Sequence, residues 1–250
     1  MNSQLASLQR IPAMIKGGAI LGEIKQQLQA FARPGTTFTE IEALAQDLIK
    51  VAGLKPSFST VDGYKWATCI MKNDELCHGI PGKKVVESGD IITIDVGLIK
   101  DGYHLDTTIS FGVGKLDKKL EKFLSVGKLA LQKAIDQAKP GASVFQISKA
   151  MQKTVQKAGY GVVYQLTGHG AGEQLHMDPA IPCVAQRSDK RLLLREGQTL
   201  AIEIMYSLGK PDLKLDKDGW TYRTIDGSLS AMFEETVLVS KNTPLVLTAS

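Results

Sequence analysis

An internal repeat constrains the folding of this chain more than any other feature of its sequence. Arg33-Pro34-Gly35 returns as Lys139-Pro140-Gly141, and the same offset of 106 residues carries Ile41 onto Ile147 and Ala52-Gly53 onto Ala158-Gly159. Each copy reads as a Pro-Gly turn, an amphipathic helix and a glycine suited to the helix C-terminus. Ile41, Leu44, Leu48 and Val51 line one helix face, and Ile147, Met151 and Val155 line the other. A further helical stretch precedes each copy, Met14 to Ala32 and Leu120 to Lys139, with apolar residues three and four apart. β-rich segments follow, Ile91 to Val96 and Thr199 to Ile204, where an offset of 108 lays Asp95 on Glu203. Amphipathic patterns arise easily and one Pro-Gly pair could coincide, but an unbroken register across all these points favours duplication. The expectation is one α/β (α+β) domain, 1–250, whose similar halves, roughly 11–118 and 119–250, face each other. A junction between halves is a preferred place for a site.

Composition limits what such a domain can do. Apolar residues make up 43% and charged residues 22% of the 250, the balance of a packed, water-soluble protein. The net charge of +4 is spread along the chain, too weak to argue nucleic acid. Met1 to Glu23 lacks the apolar core of a signal peptide, and no stretch approaches the ~20 apolar residues that cross a bilayer. Cys69, Cys77 and Cys183 form an odd set without CxxC spacing, which fits reduced thiols in a cytoplasm.

Asp95 interrupts a strand of β-branched residues, where an ionised carboxylate is costly unless paired or metal-bound. An edge strand facing water is the bland alternative. Against it stands Asp106, across a turn at Lys100-Asp101-Gly102 that folds Ile91 to Ile99 onto Tyr103 to Phe111. A two- or four-residue loop puts both carboxylates on one face; a three-residue loop does not. The second half offers His169 in Gly168-His169-Gly170, Glu203 in its strand and Glu234 in Met232 to Val239. Four carboxylates balance two divalent cations, and oxygen ligands with one imidazole suit manganese, iron, cobalt or zinc. Two metals ~3.5 to 4 Å apart can share a water and lower its pKa toward ~7. His78 and His176 sit beside Gly or Pro turns, where a surface loop histidine is the simpler reading of each alone. His104 shares only parity with Asp106 and is a candidate outer partner of that strand.

At these residues the chain resembles the type I methionine aminopeptidases, members of the creatinase-like "pita-bread" metallopeptidases, from about Ile11 to the end. Asn73 to Pro81 resembles the family's first histidine motif, and Ile94-Asp95-Val96 through Asp101 to Thr107 its two-aspartate hairpin. Gly168 to His176 resembles the segment with the metal histidine and a second active-site histidine; Ala201-Ile202-Glu203 and Ser228 to Glu234 resemble those with the two glutamates. The resemblance implies a pseudo-two-fold fold, a curved antiparallel sheet with helices on its outer face. It implies that Asp95, Asp106, His169, Glu203 and Glu234 hold two divalent metals, whose bridging hydroxide attacks the bond after an N-terminal methionine. Glu203 would shuttle the proton, His78 would hydrogen-bond the scissile amide, and His176 would steady the carbonyl oxyanion. Tyr64, Cys69 and Trp220 fall where the family lines its methionine pocket, with ordinary core packing as the alternative. The implied partner is the N-terminal methionine of nascent polypeptides with a small second residue. The implied setting is a cytoplasmic monomer, open to transient ribosome association and bound to neither membrane nor specific nucleic acid.

The chain departs from the family pattern at several places. Glu235 stands where histidine is usual, Ile204 for a proline, Leu105 for a glycine and Leu175 for an aromatic, while Phe58 and Val61 fall at variable pocket positions. Alternation puts Glu235 on the face opposite Glu234, where a buried charge could still alter metal affinity. The rivals are an Xaa-Pro aminopeptidase or prolidase, a non-catalytic binding protein on the same fold, and an RNA- or ribosome-binding module. The proline-directed relatives usually carry an extra N-terminal domain, for which the early start of the repeat leaves no room. The short span from Glu203 to Glu234 leaves none for the insertion typical of type II methionine aminopeptidases.

Overall fold

The repeat is written into the helix ends. The computed structural model describes residues 3–249, with side-chain surroundings from residue 9 onward. It contains four α-helices: α1 (Ser3–Phe31), α2 (Phe38–Val51), α3 (Lys118–Ile135) and α4 (Val144–Lys157). At the start of α2, Glu40 N–H donates to Thr37 Oγ1 (3.2 Å) and Thr37 N–H to Glu40 Oε2 (2.7 Å), a reciprocal cap. Ser143 and Gln146 stand at the same offset before α4, where Ser143 N–H donates to Gln146 Oε1 at 2.8 Å. Gly53 and Gly159 then end both helices with left-handed φ of 70° and 84°. The helix α1 starts well before Met14, with Pro12 inside it, so that proline does not mark the helix start.

Alternation within the strands separates the two faces of the sheet. Ile91–Lys100 and Tyr103–Gly112 form a hairpin closed by Asp101 and Gly102, at φ 52° and 86°, the pair of left-handed residues that a type I′ turn demands. Thr199–Ser207 and Ser230–Leu238 also pair antiparallel in the second half, joined by a longer link. The central order runs Ile91–Lys100, Tyr103–Gly112, Ser230–Leu238, Thr199–Ser207, Thr167–Gly170, Met177–Pro182, every pairing antiparallel. The inner strands of the two halves therefore meet at the centre, with Thr108 opposite Glu234 and Thr107 opposite Glu235. Even-numbered Ile92, Ile94, Val96 and Leu98 pack beneath α1 and α2 with Met14, Leu21, Leu28 and Ile41. Ile202, Ile204 and Tyr206 pack beneath α3 and α4 with Phe123, Ile147 and Met151. Each such side chain contributes roughly 1.5–3 kcal/mol of burial, and the buried Tyr206 hydroxyl is satisfied by donating to Phe123 O at 2.6 Å.

The link between Ser207 and Ser230 adds a smaller layer. Leu213–Leu215, Tyr222–Thr224 and Glu75–Cys77 form a three-stranded sheet, which brings the Cys77-His78 turn beside Tyr222. Among the described residues no helix is long and apolar enough to cross a membrane.

Candidate metal centre and active site

Packing the helix face with aliphatic residues leaves Asp95, Asp106, Glu203 and Glu234 on the other face of these strands. Asp95 lies opposite Thr108 and Asp106 opposite Gly97, so the two-residue turn sets both acids on one side. Glu203 lies opposite Glu234. Thr108 Oγ1 donates to Glu234 Oε2 at 2.9 Å, and Thr236 Oγ1 donates to the Asp106 carbonyl at 2.8 Å. Each central strand thus steadies a carboxylate-bearing residue of the other half. His169 enters from Thr167–Gly170, beside Ala201. Its Nδ1 lies 3.0 Å from Gly170 O, and a proton held there leaves Nε2, 3.5 Å from Asp106 Oδ2, as a free lone pair. One ligand atom each from Asp106, His169 and Glu234 lie within 4.8 Å of one another.

The electrostatics of the cluster call for a cation. Asp95, Asp106, Glu203 and Glu234 are all buried. Burial, followed by the charge of Asp106, holds Asp95 and Glu234 well above the usual carboxylate range. Burial raises Asp106 as well, against the pull of His169 and His176. Glu203 is pushed up to about 8 by burial and then by Asp95 and Asp106. Asp95 Oδ1 is buried with no hydrogen-bond partner. Buried acceptors and like charges in this density are tolerated when a metal takes their lone pairs. The donors are oxygen and imidazole; burial keeps the thiols of Cys69 and Cys77 protonated. The residues present therefore fit a hard or borderline divalent ion.

The same face opens into a cavity of about 300 Å³ lined by Asp95, Asp106, His169, Glu203, Glu234, His78 and His176. The ring of His176 lies 4.5 Å from that of His169, edge to face, and His78 lies 5.9 Å from Tyr222. Burial lowers the pKa of both His78 and His176, favouring neutral imidazoles. His78 is held at φ 55°, an uncommon conformation for a side-chain-bearing residue and one often found where function fixes it. Tyr64, Cys69 and Trp220 form the apolar wall with Leu175, Phe58 and Val61; the Tyr64 and Trp220 rings meet edge to face at 5.0 Å. Met205 and Met232 also line the cavity, as do Gln165 and Thr167. The methionines lie two residues from Glu203 and Glu234, so alternation alone could have found them, whereas the loop residues carry no such signal. His104 does not border this cavity: its Nδ1 pairs with Ser57 Oγ at 2.7 Å, and its backbone N–H donates to Gly172 O.

Comparison with known proteins identifies the family of this fold. Residues 12–241 match the profile of metallopeptidase family M24. The chain belongs to that family. Methionine aminopeptidases of Aquifex aeolicus and Clostridium perfringens are 38% and 37% identical to this M24 chain, over 99% and 95% of both partners. The crystal structure of methionine aminopeptidase from Thermotoga maritima superposes with a TM-score of 0.93 at 37% identity, covering 96% of this chain and 97% of that one. The fold is the pita-bread fold, as the resemblance implies. A prolidase from Pyrococcus horikoshii shares it with a TM-score of 0.79 at 24% identity, but this chain covers only 62% of that protein.

The departures from the pattern of the type I methionine aminopeptidases fall on both faces. Leu105 and Ile204 are fully buried in the two helix-side cores, where a larger apolar side chain adds packing. Leu175 stays in the pocket wall. Glu235 points away from the cavity, as alternation requires, and meets Lys25 of α1.

Proposed function

We propose that this chain is a divalent-metal-dependent aminopeptidase that removes the N-terminal methionine from nascent polypeptides and peptides. The observation that carries the reading is one cavity in which five potential ligands, Asp95, Asp106, His169, Glu203 and Glu234, face an apolar wall of Tyr64, Cys69 and Trp220. Near-full-length likeness to methionine aminopeptidases supports it over a proline-directed activity. The five ligands would hold two ions of manganese, iron, cobalt or zinc. Bound there, the metal supplies Lewis acidity and a water of lowered pKa. Glu203 accepts a proton and returns it to the leaving amine; neutral His78 hydrogen-bonds the scissile amide, and His176 donates toward the carbonyl oxygen as charge develops. The apolar wall takes the thioether side chain, for which aromatic rings and sulfur are favourable contacts. The reading extends to a small second residue and to a cytoplasmic monomer, the two halves of one domain sharing the site, that meets chains emerging from ribosomes.

Release of methionine from Met-Ala-Ser and of the first residue from an Xaa-Pro peptide, measured on metal-stripped protein with and without manganese or cobalt, tests this reading. Metal-dependent release from Met-Ala-Ser is expected. Cleavage of the Xaa-Pro peptide alone moves the assignment to the proline-directed branch, and cleavage of neither with metal bound makes the chain a binding protein.

A further inference from the structure

Behind the metal-ligand face, the sheet carries a buried ion pair. Lys25 of α1 is 2% exposed, and its ammonium donates to Glu235 Oε1 (2.6 Å), Thr107 Oγ1 (2.9 Å) and Thr248 O (3.1 Å), using all three protons. Glu235 Oε2 accepts from Thr248 Oγ1 at 2.5 Å and also lies 3.0 Å from Thr107 Oγ1. Thr107 Oγ1 has one proton and two acceptors in reach, Glu235 Oε2 and, at 2.9 Å, the backbone carbonyl of Glu234. Lys128 of α3 borders the same small cavity without an ion pair to Glu235 among the described residues, so Lys25 is the cation that neutralises this carboxylate.

We infer that Lys25 is a positioning residue for the metal site, acting through the Thr107 proton. With Lys25 and Thr248 satisfying Glu235, the proton goes to the Glu234 carbonyl and ties the strand that bears Asp106 to the strand that bears Glu234. Without Lys25 the bare carboxylate is the stronger acceptor; it captures the proton and releases the Glu234 backbone. This inference rests on the proposed role of Asp106 and Glu234 as metal ligands.

The test is the Kd for Mn²⁺ of metal-stripped protein, measured by titration calorimetry, with thermal unfolding alongside. Lys25→Met is expected to weaken Mn²⁺ binding by about tenfold or more, the scale typical of outer hydrogen-bond partners of a metal site. Thr107→Val should weaken it similarly and add nothing to Lys25→Met. The double variant Lys25→Met/Glu235→Met removes the competing acceptor and should return the Kd to within about twofold of the wild type. A Lys25→Met Kd equal to the wild type with a lowered Tm would make the pair merely structural. A tighter Kd would mean that net charge alone matters; either result overturns the inference. Should Lys25→Met fail to fold, Thr107→Val and the double variant decide, and an unchanged Thr107→Val Kd overturns it. A wild-type protein that binds no Mn²⁺ removes the metal-site reading and this inference with it.

Discussion

Replacing Glu203 with Gln in metal-free protein should change how stability depends on pH. In the wild type, burial and the neighbouring Asp95 and Asp106 raise this carboxyl from 4.5 to about 8. A raised folded-state pKa means that the native protein keeps a proton which the unfolded chain has lost. The associated stability is complete below about pH 4.5 and is lost as pH climbs through about 8. Between pH 6 and pH 8 the loss amounts to about 2 kcal/mol, or roughly 4–8 °C in Tm for a chain of this length. His78, His104 and His176, held low by burial, act in the opposite direction. Both proteins contain them, so subtracting the two profiles cancels the histidines and leaves Glu203 together with its coupling to Glu234. Scanning calorimetry of chelator-treated wild type and Glu203→Gln at pH 6 and pH 8 reads the difference directly. The wild-type advantage should shrink by that amount on going to pH 8, and saturating Mn²⁺ should flatten the wild-type profile. A difference that is constant, or that grows with pH, would refute the claim that Glu203 sits among uncompensated buried carboxylates.

Further outcomes follow from the same geometry. Asp106→Asn or His169→Ala should abolish metal-dependent release of methionine while far-ultraviolet dichroism stays native; undiminished turnover in either would sink the ligand assignment. His176→Ala should lower kcat at saturating metal more than it changes the Mn²⁺ Kd, the signature of a group that acts on charge developing in the reaction. Trp220→Ala should raise KM for a methionyl peptide by about tenfold, and an unchanged KM would remove Trp220 from the pocket. A Cβ at Gly79 would lie 2.3 Å from Ile70 O, so Gly79→Ala must displace the turn that carries His78. Its kcat/KM should fall together with its Tm, and native values of both would contradict the close approach.

Much of this molecule could be read from sequence because its determinants are local. The Pro-Gly turns, the apolar face of α4 and the glycines past the helix ends depend on neighbours within a few residues, as do the strands around Asp95 and Glu203. By contrast, α2 buries Phe38, Ile41, Ala45 and Ile49 and leaves Val51, expected on its apolar face, exposed. The Asp101-Gly102 turn, which puts Asp95 and Asp106 on one face, is also local. The alternation that turns Glu235 from Glu234 is set by the pleat alone. The family motifs supplied the five potential ligands and the two histidines, but their convergence on one cavity required the pairing of Tyr103–Gly112 with Ser230–Leu238. Only the tertiary structure could decide how the two halves meet there and why Thr108 and Thr236, unremarkable as residues, each bond to a residue of the other half. It alone pairs Lys25 with Glu235 across 210 positions of chain. No periodicity or spacing encodes such contacts. They arise when α1 is pressed onto the back of the sheet, and burial then makes each unpaired charge costly enough to select its partner.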